Sequence, residues 1–195
     1  MIELVTDLDK VQPWVRAALY KEAFERTTHL SDAGKAIVGD LDKRRAYRAR
    51  IVLQKSVLLM ERLLGLSGGH FRYCWDIIGP YSTELADSAD QLRILIRLGY
   101  GIPDDVSEEQ REEIRSAAQD VDRAAGSRPD ELPEDEWMEL LASIVYLRSD
   151  EPDEWSPLNK DSVCQMLRDN GKSFCDDHIV QAIETLNDLF GQQRG

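Results

Sequence analysis

The chain has 195 residues with 24 basic and 37 acidic side chains, which gives a formal net charge of −13 at pH 7. This length fits one domain or two small ones, and a hydrophobic content of 42% can form a core without disulfides or metals. No apolar run approaches the ~20 residues of a membrane span, and the first ten residues lack a basic secretory start. Three cysteines without framework spacing indicate free thiols, so we expect a soluble, cytoplasmic protein.

Helical periodicity dominates the chain and predicts a mainly α fold, beginning with N-terminal helices in residues 1–40. The longest predicted helix spans residues 42–64 and is ended by Gly65. Its first half is basic, whereas residues 51–64 are apolar on nearly all sides, which is typical of a central, buried helix. Replacing Leu58 by Asp is therefore expected to unfold the domain.

A short aromatic segment and a Gly-Pro corner follow this helix. Residues 70–76 are the clearest strand candidate because aromatic residues alternate there. Gly79-Pro80 is predicted to open a new helix, since proline suits the first helical position. If the corner is structural, Tyr81 packs against the 51–64 helix, and Tyr81→Ala should cost roughly 3 kcal/mol of stability. If the corner binds an anion or a partner at the helix N-terminus, the candidate residues are Trp75, Tyr81 and Ser82.

Residues 104–136 carry 13 acidic side chains and four arginines, a local charge of −9. A capping box at residues 107–110 predicts a solvated helix, and residues 126–133 are interpreted as a loose link. The predicted organisation is N-terminal helices (1–40), a central part with helix, strand and capped helix (41–103), an acidic helical linker (104–132) and a C-terminal helical subdomain (133–195) that packs on the central part.

Three helices are predicted in the last third of the chain. The first begins with acidic residues 134–136, the second is capped by Ser156-Pro157 and ended by Gly171, and the third begins at Asp176. The last two have the order of a helix-turn-helix. The final helix offers an acidic surface, so we interpret the pair as a packing unit and not as a DNA reader.

Basic side chains cluster at the start of the long helix, and residues 41–62 have a local charge of +5. They could contact DNA phosphates, or they could pair with the acidic 104–136 segment of the same or another chain. The second interpretation ranks higher because the chain itself supplies the acidic segment. The candidate residues are Lys43, Arg44, Arg45 and Arg48.

Neither a metal site nor a catalytic group has a convincing pattern in the sequence. Cys164, Cys175 and His178 do not form the two close ligand pairs of a structural zinc site, so a helix–helix turn with a buried thiol is favoured. No phosphate loop or zinc-protease motif is present. We predict no cofactor, no metal and no catalytic residue, while an enzyme with an unrecognised site stays open.

The order of several short motifs resembles the YwgA-like family of uncharacterised prokaryotic proteins across about residues 45–190. These motifs are Leu53-Gln54-Lys55, Phe71–Trp75, Gly79-Pro80-Tyr81-Ser82, Glu84–Asp87, Glu139–Ile144, Tyr146-Leu147-Arg148, Lys172-Ser173-Phe174 and a closing helix at 182–186. The chain departs from the family pattern at Ile78 and Ser173. It is more distantly similar to the SocA-like antitoxin (Panacea) domain. The resemblance implies a winged-helix-like β element around residues 70–77 and no established catalytic residue.

The leading hypothesis is a non-enzymatic regulatory or protein-interaction module. The resemblance implies an accessory role in a prokaryotic defence or mobile-element system. The expected partner is another protein or a second copy of the chain. Nucleic acid is disfavoured by the net charge, and no membrane contact is expected. The alternatives are a DNA-binding regulator or antitoxin that uses the basic cluster, and the unrecognised enzyme.

Overall fold

Six helices and one two-stranded sheet form the part of the chain that the computed structural model describes, namely residues 43–65, 71–87 with 89, 107–148 and 158–191. The predicted mainly α class with a small β element is confirmed. The predicted N-terminal helices lie outside the described residues. In chain order the elements are α1 (Lys43–Leu63), β1 (Cys74–Asp76), β2 (Gly79–Tyr81), α2 (from residue 83), α3 (Glu108–Gly126), α4 (Glu134–Leu147), α5 (Lys160–Asp169) and α6 (Asp176–Gly191).

Helix α1 lies in the middle of the described fold, as its all-round apolar sequence predicts. Every residue from Ile51 to Glu61 is buried, including the polar residues Gln54, Lys55 and Ser56. The helix packs mainly against α4, and it also contacts α3 and β2. It ends where predicted, because Gly65 adopts a φ of 64°, which glycine tolerates without strain.

Helix α4 is the second central element. Its first turn carries three acidic residues, which suit the positive end of the helix dipole, and residues 140–145 are all buried. Trp137 is fully buried, and its Nε1 donates a hydrogen bond to the Ala124 carbonyl of α3 at 2.8 Å. Because that bond satisfies the indole N–H, a tryptophan can fill the core at this point.

Helix α3 differs from the predicted solvated helix. It begins with exposed Glu108 and Glu109, but its opposite face enters the core. The buried residues of that face are Ile114, Ala117, Ala118, Val121, Ala124 and Ala125. Small alanine side chains allow close packing, and their helical spacing is hidden in the sequence by the high charge around them.

The predicted strand-to-helix corner is instead a β-hairpin, residues 74–81, which we call the hairpin. β1 pairs antiparallel with β2 in the register Cys74↔Tyr81, Trp75↔Pro80 and Asp76↔Gly79. The prediction that Pro80 opens a helix is therefore wrong, because Pro80 lies in β2 and the helix begins after Ser82. The strand predicted at 70–76 is shorter than expected, and His70 lies outside the described residues.

Helices α5 and α6 form the predicted helical pair. Asn159 caps α5, since its Oδ1 accepts a hydrogen bond from Ser162 N at 3.2 Å, whereas the predicted cap at 156–157 lies outside the described residues. Gly171 ends the turn with a φ of 75°, and α6 begins at Asp176 as predicted. The apolar side of α6 joins the core through residues such as Ile179, Ala182 and Leu186.

Candidate functional site: the hairpin and its buried polar cluster

Two neighbouring residues of α1 form hydrogen bonds with the backbone of the hairpin and of Ser82. Gln54 pairs with the backbone of Ser82 in both directions: its Nε2 donates to Ser82 O at 2.9 Å, and Ser82 N donates to its Oε1 at 3.0 Å. Lys55 is fully buried, and its Nζ donates to Pro80 O at 2.5 Å. The side chains of α1 thus bond to backbone groups of β2 and Ser82 much as a neighbouring strand would.

A second lysine reaches the hairpin from the turn between α5 and α6. Lys172 Nζ donates to the Ile77 carbonyl at the hairpin tip and to Glu139 Oε1 of α4, the latter at 2.5 Å. Both side chains of this ion pair are largely buried, with 9% and 15% of their surface exposed. Charge-assisted hydrogen bonds in such surroundings are stronger than neutral ones, so the tip is held to two other elements at once.

Gly79 brings the hairpin backbone into close contact with α4. Its φ is 77°, and a Cβ at this position would lie 2.6 Å from Ser143 Oγ and 3.7 Å from Lys55 Nζ. Ser143 is fully buried, and its Oγ has no hydrogen-bond partner among the described residues. We call the side chains that surround the hairpin backbone here the polar cluster: Gln54, Lys55, Glu139, Ser143 and Lys172.

Burial changes the acid–base behaviour of Lys55. Desolvation lowers the pKa of its ammonium group to about 8 from the ordinary value of 10.5. The carboxylate of Glu139 acts against this change, the cation of Lys172 adds to it, and Asp76 again opposes it. Glu139 forms its ion pair with Lys172, so the described hydrogen bond of Lys55 goes to an uncharged carbonyl.

Aromatic side chains also connect the hairpin with neighbouring elements. Trp75 stacks on Tyr146 of α4, with ring centroids 5.9 Å apart and planes inclined by 25°. Trp75 Nε1 donates to Asn170 O at 3.0 Å, and Lys172 Nζ lies 5.6 Å from the Trp75 ring centroid. Tyr146 donates its hydroxyl proton to Tyr73 O at 3.1 Å. These contacts join the hairpin to α4 and to the α5–α6 turn.

The outer end of the hairpin faces solvent. Ile77 is 90% exposed, the largest exposed fraction among the large apolar side chains of the described residues. Its backbone is nevertheless fixed on both sides: Ile77 N donates to Asp76 Oδ1 at 2.7 Å, and its carbonyl accepts from Lys172. The hairpin therefore presents one apolar side chain on a backbone that the polar cluster holds in place.

The structure brings three of the predicted binding residues together at the hairpin. Ser82 is buried, and its Oγ accepts from Leu85 N at 3.2 Å, so it caps α2. Trp75 and Tyr81 are half-buried. Full exposure of Tyr81 would have excluded the structural interpretation of the corner, and it is not observed.

The predicted basic cluster lies in the first turns of α1, before the residues Gln54 and Lys55 that bond to the hairpin and Ser82. Arg48 forms an ion pair with Asp135 of α4 at 3.5 Å, and Asp135 belongs to the acidic 104–136 segment. This is one contact of the kind that the sequence favoured over DNA binding. The side chains of Lys43, Arg44 and Arg45 lie outside the described part of the chain.

The remaining candidates from the sequence do not converge on a site. Cys164 is buried and Cys175 is exposed, while His178 Nε2 lies 3.1 Å from Glu131 Oε1. In the described ranges, no group of three His, Cys, Asp or Glu residues is arranged to hold a metal ion. A depression of about 140 Å³ between α3 and α6 has Arg123 at its edge, and that side chain pairs with Asp120 at 3.0 Å.

Sequence reasoning missed the role of Gln54, Lys55 and Lys172. In the sequence the first two belong to the motif Leu53-Gln54-Lys55, on a helix that is otherwise apolar on nearly all sides. Their place in the sequence is the only indication of this role. Polar side chains on a helix that is apolar on all sides must find buried hydrogen-bond partners. Lys172 bonds to a residue 95 positions away, which no local pattern indicates.

Comparisons with known proteins give no relative for this chain. No family model matches its sequence. Neither the curated proteins nor the solved structures contain a match. None of the helices in the described ranges combines the length and the apolar character that a membrane span requires.

Proposed function

We propose that this chain is a non-enzymatic protein-interaction module with a regulatory role, and that the hairpin is its contact surface. The observation that carries the proposal is the exposure of Ile77 on a backbone fixed by Lys172 and Asp76. An isolated exposed apolar side chain is common on protein surfaces. Here, by contrast, the buried Lys172 and the exposed carboxylate of Asp76 hold the backbone beneath it, so less backbone entropy is lost when a partner covers the side chain.

The partner proposed is another protein with an apolar pocket and a basic rim, with a second copy of the chain as the alternative. Asp76 beside the tip and the net charge of −13 support a basic partner through electrostatic complementarity. The resemblance to the YwgA-like family adds a proposed accessory role in a prokaryotic defence or mobile-element system, in the cytoplasm.

The DNA-binding alternative receives less support from the described residues. The ion pair of Arg48 with Asp135 leaves less charge for phosphates, and the exposed side of α6 includes Asp177, Glu184 and Asp188. Binding to duplex DNA that weakens steeply with salt would restore this alternative. No specific observation supports the alternative of an unrecognised enzyme, because the hairpin backbone occupies the space between the side chains of the polar cluster.

Replacing Ile77 by Asp tests the proposal directly. The side chain is exposed, so the thermal midpoint should stay within about 2 °C of the parent, as surface substitutions usually allow. Recovery of the partner in a pull-down from the native host should fall at least tenfold, since an apolar contact becomes an unpaired charge.

The matched control is Val180→Asp, because Val180 of α6 is the other exposed aliphatic side chain of this kind in the described residues. This variant should recover the partner as the parent does. Equal recovery by the parent and Ile77→Asp would refute the hairpin as the contact surface.

A further inference from the structure

Lys55 is an ionisable group that the fold shields from water, although its ammonium group has few hydrogen-bond partners among the described residues. Its side chain has no exposed surface, and within the described residues the hydrogen-bond acceptor of its Nζ is the carbonyl of Pro80. An ammonium group has three N–H donors. A buried ammonium with a single neutral acceptor is costly, whereas a neutral amine needs less compensation.

The charged groups around Lys55 come from three elements and act on it in opposite directions. Glu139 of α4 and Asp76 of β1 favour the ammonium form, and Lys172 of the α5–α6 turn disfavours it. Because Glu139 is bonded to Lys172, that carboxylate is shared between two cations. The dominant influence on Lys55 is therefore its burial, and part of the cover is the hairpin backbone at Gly79 and Pro80.

We propose that release of the hairpin from the polar cluster is coupled to protonation of Lys55, so that the hairpin is a strap whose opening takes up a proton. With the hairpin in place, Lys55 is dehydrated and holds its proton weakly. Once the hairpin lifts, water reaches Nζ, and the amine regains its ordinary basicity. Opening is then easiest at and below neutral pH and becomes harder as the pH rises.

The direction and size of the pH effect on hairpin opening follow from the different pKa values of Lys55 in the closed and open states. The closed state has a Lys55 pKa of about 8, and the open state has the ordinary value of 10.5. A rise from pH 7 to pH 9 removes the proton from the closed state first, so the opening constant should fall about tenfold. This inference concerns the free protein, so it can fail while the proposed partner contact holds, and the reverse is also true.

Hydrogen exchange of the full chain without any partner tests the strap. The reporters are the amides of the hairpin and of Ser82, whose N–H bonds to Gln54. After correction for intrinsic exchange, their protection should rise about tenfold from pH 7 to pH 9. The first turn of α3, which is remote in sequence and exposed, is the internal control and should not change.

The Lys55→Met variant keeps the length of the side chain without the ionisable group, and its hairpin protection should be the same at both pH values. If that variant does not fold, an NMR titration of the lysine side chains in the parent replaces it, with one lysine expected to titrate near pH 8. Equal protection of the parent hairpin at both pH values would overturn the proposal. So would exchange of the hairpin only together with α4, or an NMR midpoint near 10.5 for every lysine.

Discussion

At Gly79 the hairpin backbone lies close to Glu139 and Ser143 of α4. Two independent constraints act on this residue. Its φ of 77° is strained for any residue that has a Cβ, and Ser143 Oγ occupies the space where that Cβ would lie. Ser143 itself has no described hydrogen-bond partner. The contact therefore contributes close approach and not a hydrogen bond, and it brings Pro80 O within reach of Lys55.

A double-mutant cycle separates these two constraints. Gly79→Ala in the parent should lower the free energy of unfolding by about 3 kcal/mol, through backbone strain and the clash with Ser143. In a Ser143→Ala background the clash is removed, and the same change should cost only about 1 kcal/mol. Urea unfolding of the four proteins measures both values. A cost that is equal in the two backgrounds would show that Ser143 does not restrict this site.

The elements of the fold divide into those that the sequence predicts and those that depend on distant contacts. Helices α1, α4 and α6 follow from local apolar periodicity and from end signals, namely Gly65 after α1 and the acidic first turns of α4 and α6, so their positions could be predicted. The hairpin could not be predicted in the same way, because Gly-Pro is equally suited to a helix start. Pro80 is acceptable in β2 because a strand at the edge of a small sheet can lack one N–H donor.

The burial of α1 leads to the most severe expected effect of a substitution. Leu58 is buried in the middle of this helix, with 2% of its surface exposed. Leu58→Asp would bury an unpaired carboxylate at a cost of several kcal/mol, which is comparable with the total stability of a domain. Circular dichroism should show no cooperative thermal transition, whereas Leu58→Met should melt within a few degrees of the parent. A parent-like transition in the Asp variant would contradict the central position of α1.

The hairpin joins parts of the chain that are distant in sequence. Gln54 and Lys55 come from α1, Glu139 and Ser143 from α4, and Lys172 from the α5–α6 turn. A pattern within one segment can indicate that Lys55 needs a buried partner, but it cannot identify Pro80 as that partner. The mainly α class could thus be predicted from the sequence, whereas the polar cluster required the tertiary structure.

The C-terminal helical pair acts on the hairpin through Lys172 and Asn170, which bond to Ile77 and Trp75. We expect Lys172→Met to loosen the hairpin tip without unfolding α5 and α6, whose own contacts with the core remain. Loss of Lys172 removes the ion pair of Glu139 and leaves only the cation of Lys55 nearby among the described residues, so stability should fall by about 2–4 kcal/mol. Urea unfolding followed by circular dichroism measures this loss. An unchanged midpoint would show that the ion pair does not hold the tip.

We propose above that the hairpin tip contacts a partner protein. The most direct measurement places a photo-crosslinking amino acid at position 77 of the full chain, expressed at native level in its host, with the same group at position 180 as the control. We expect one discrete crosslinked species from position 77, identified by mass spectrometry as another protein or a second copy of the chain, and none of that mass from position 180. No crosslinked species from position 77, or the same species from both positions, would contradict it.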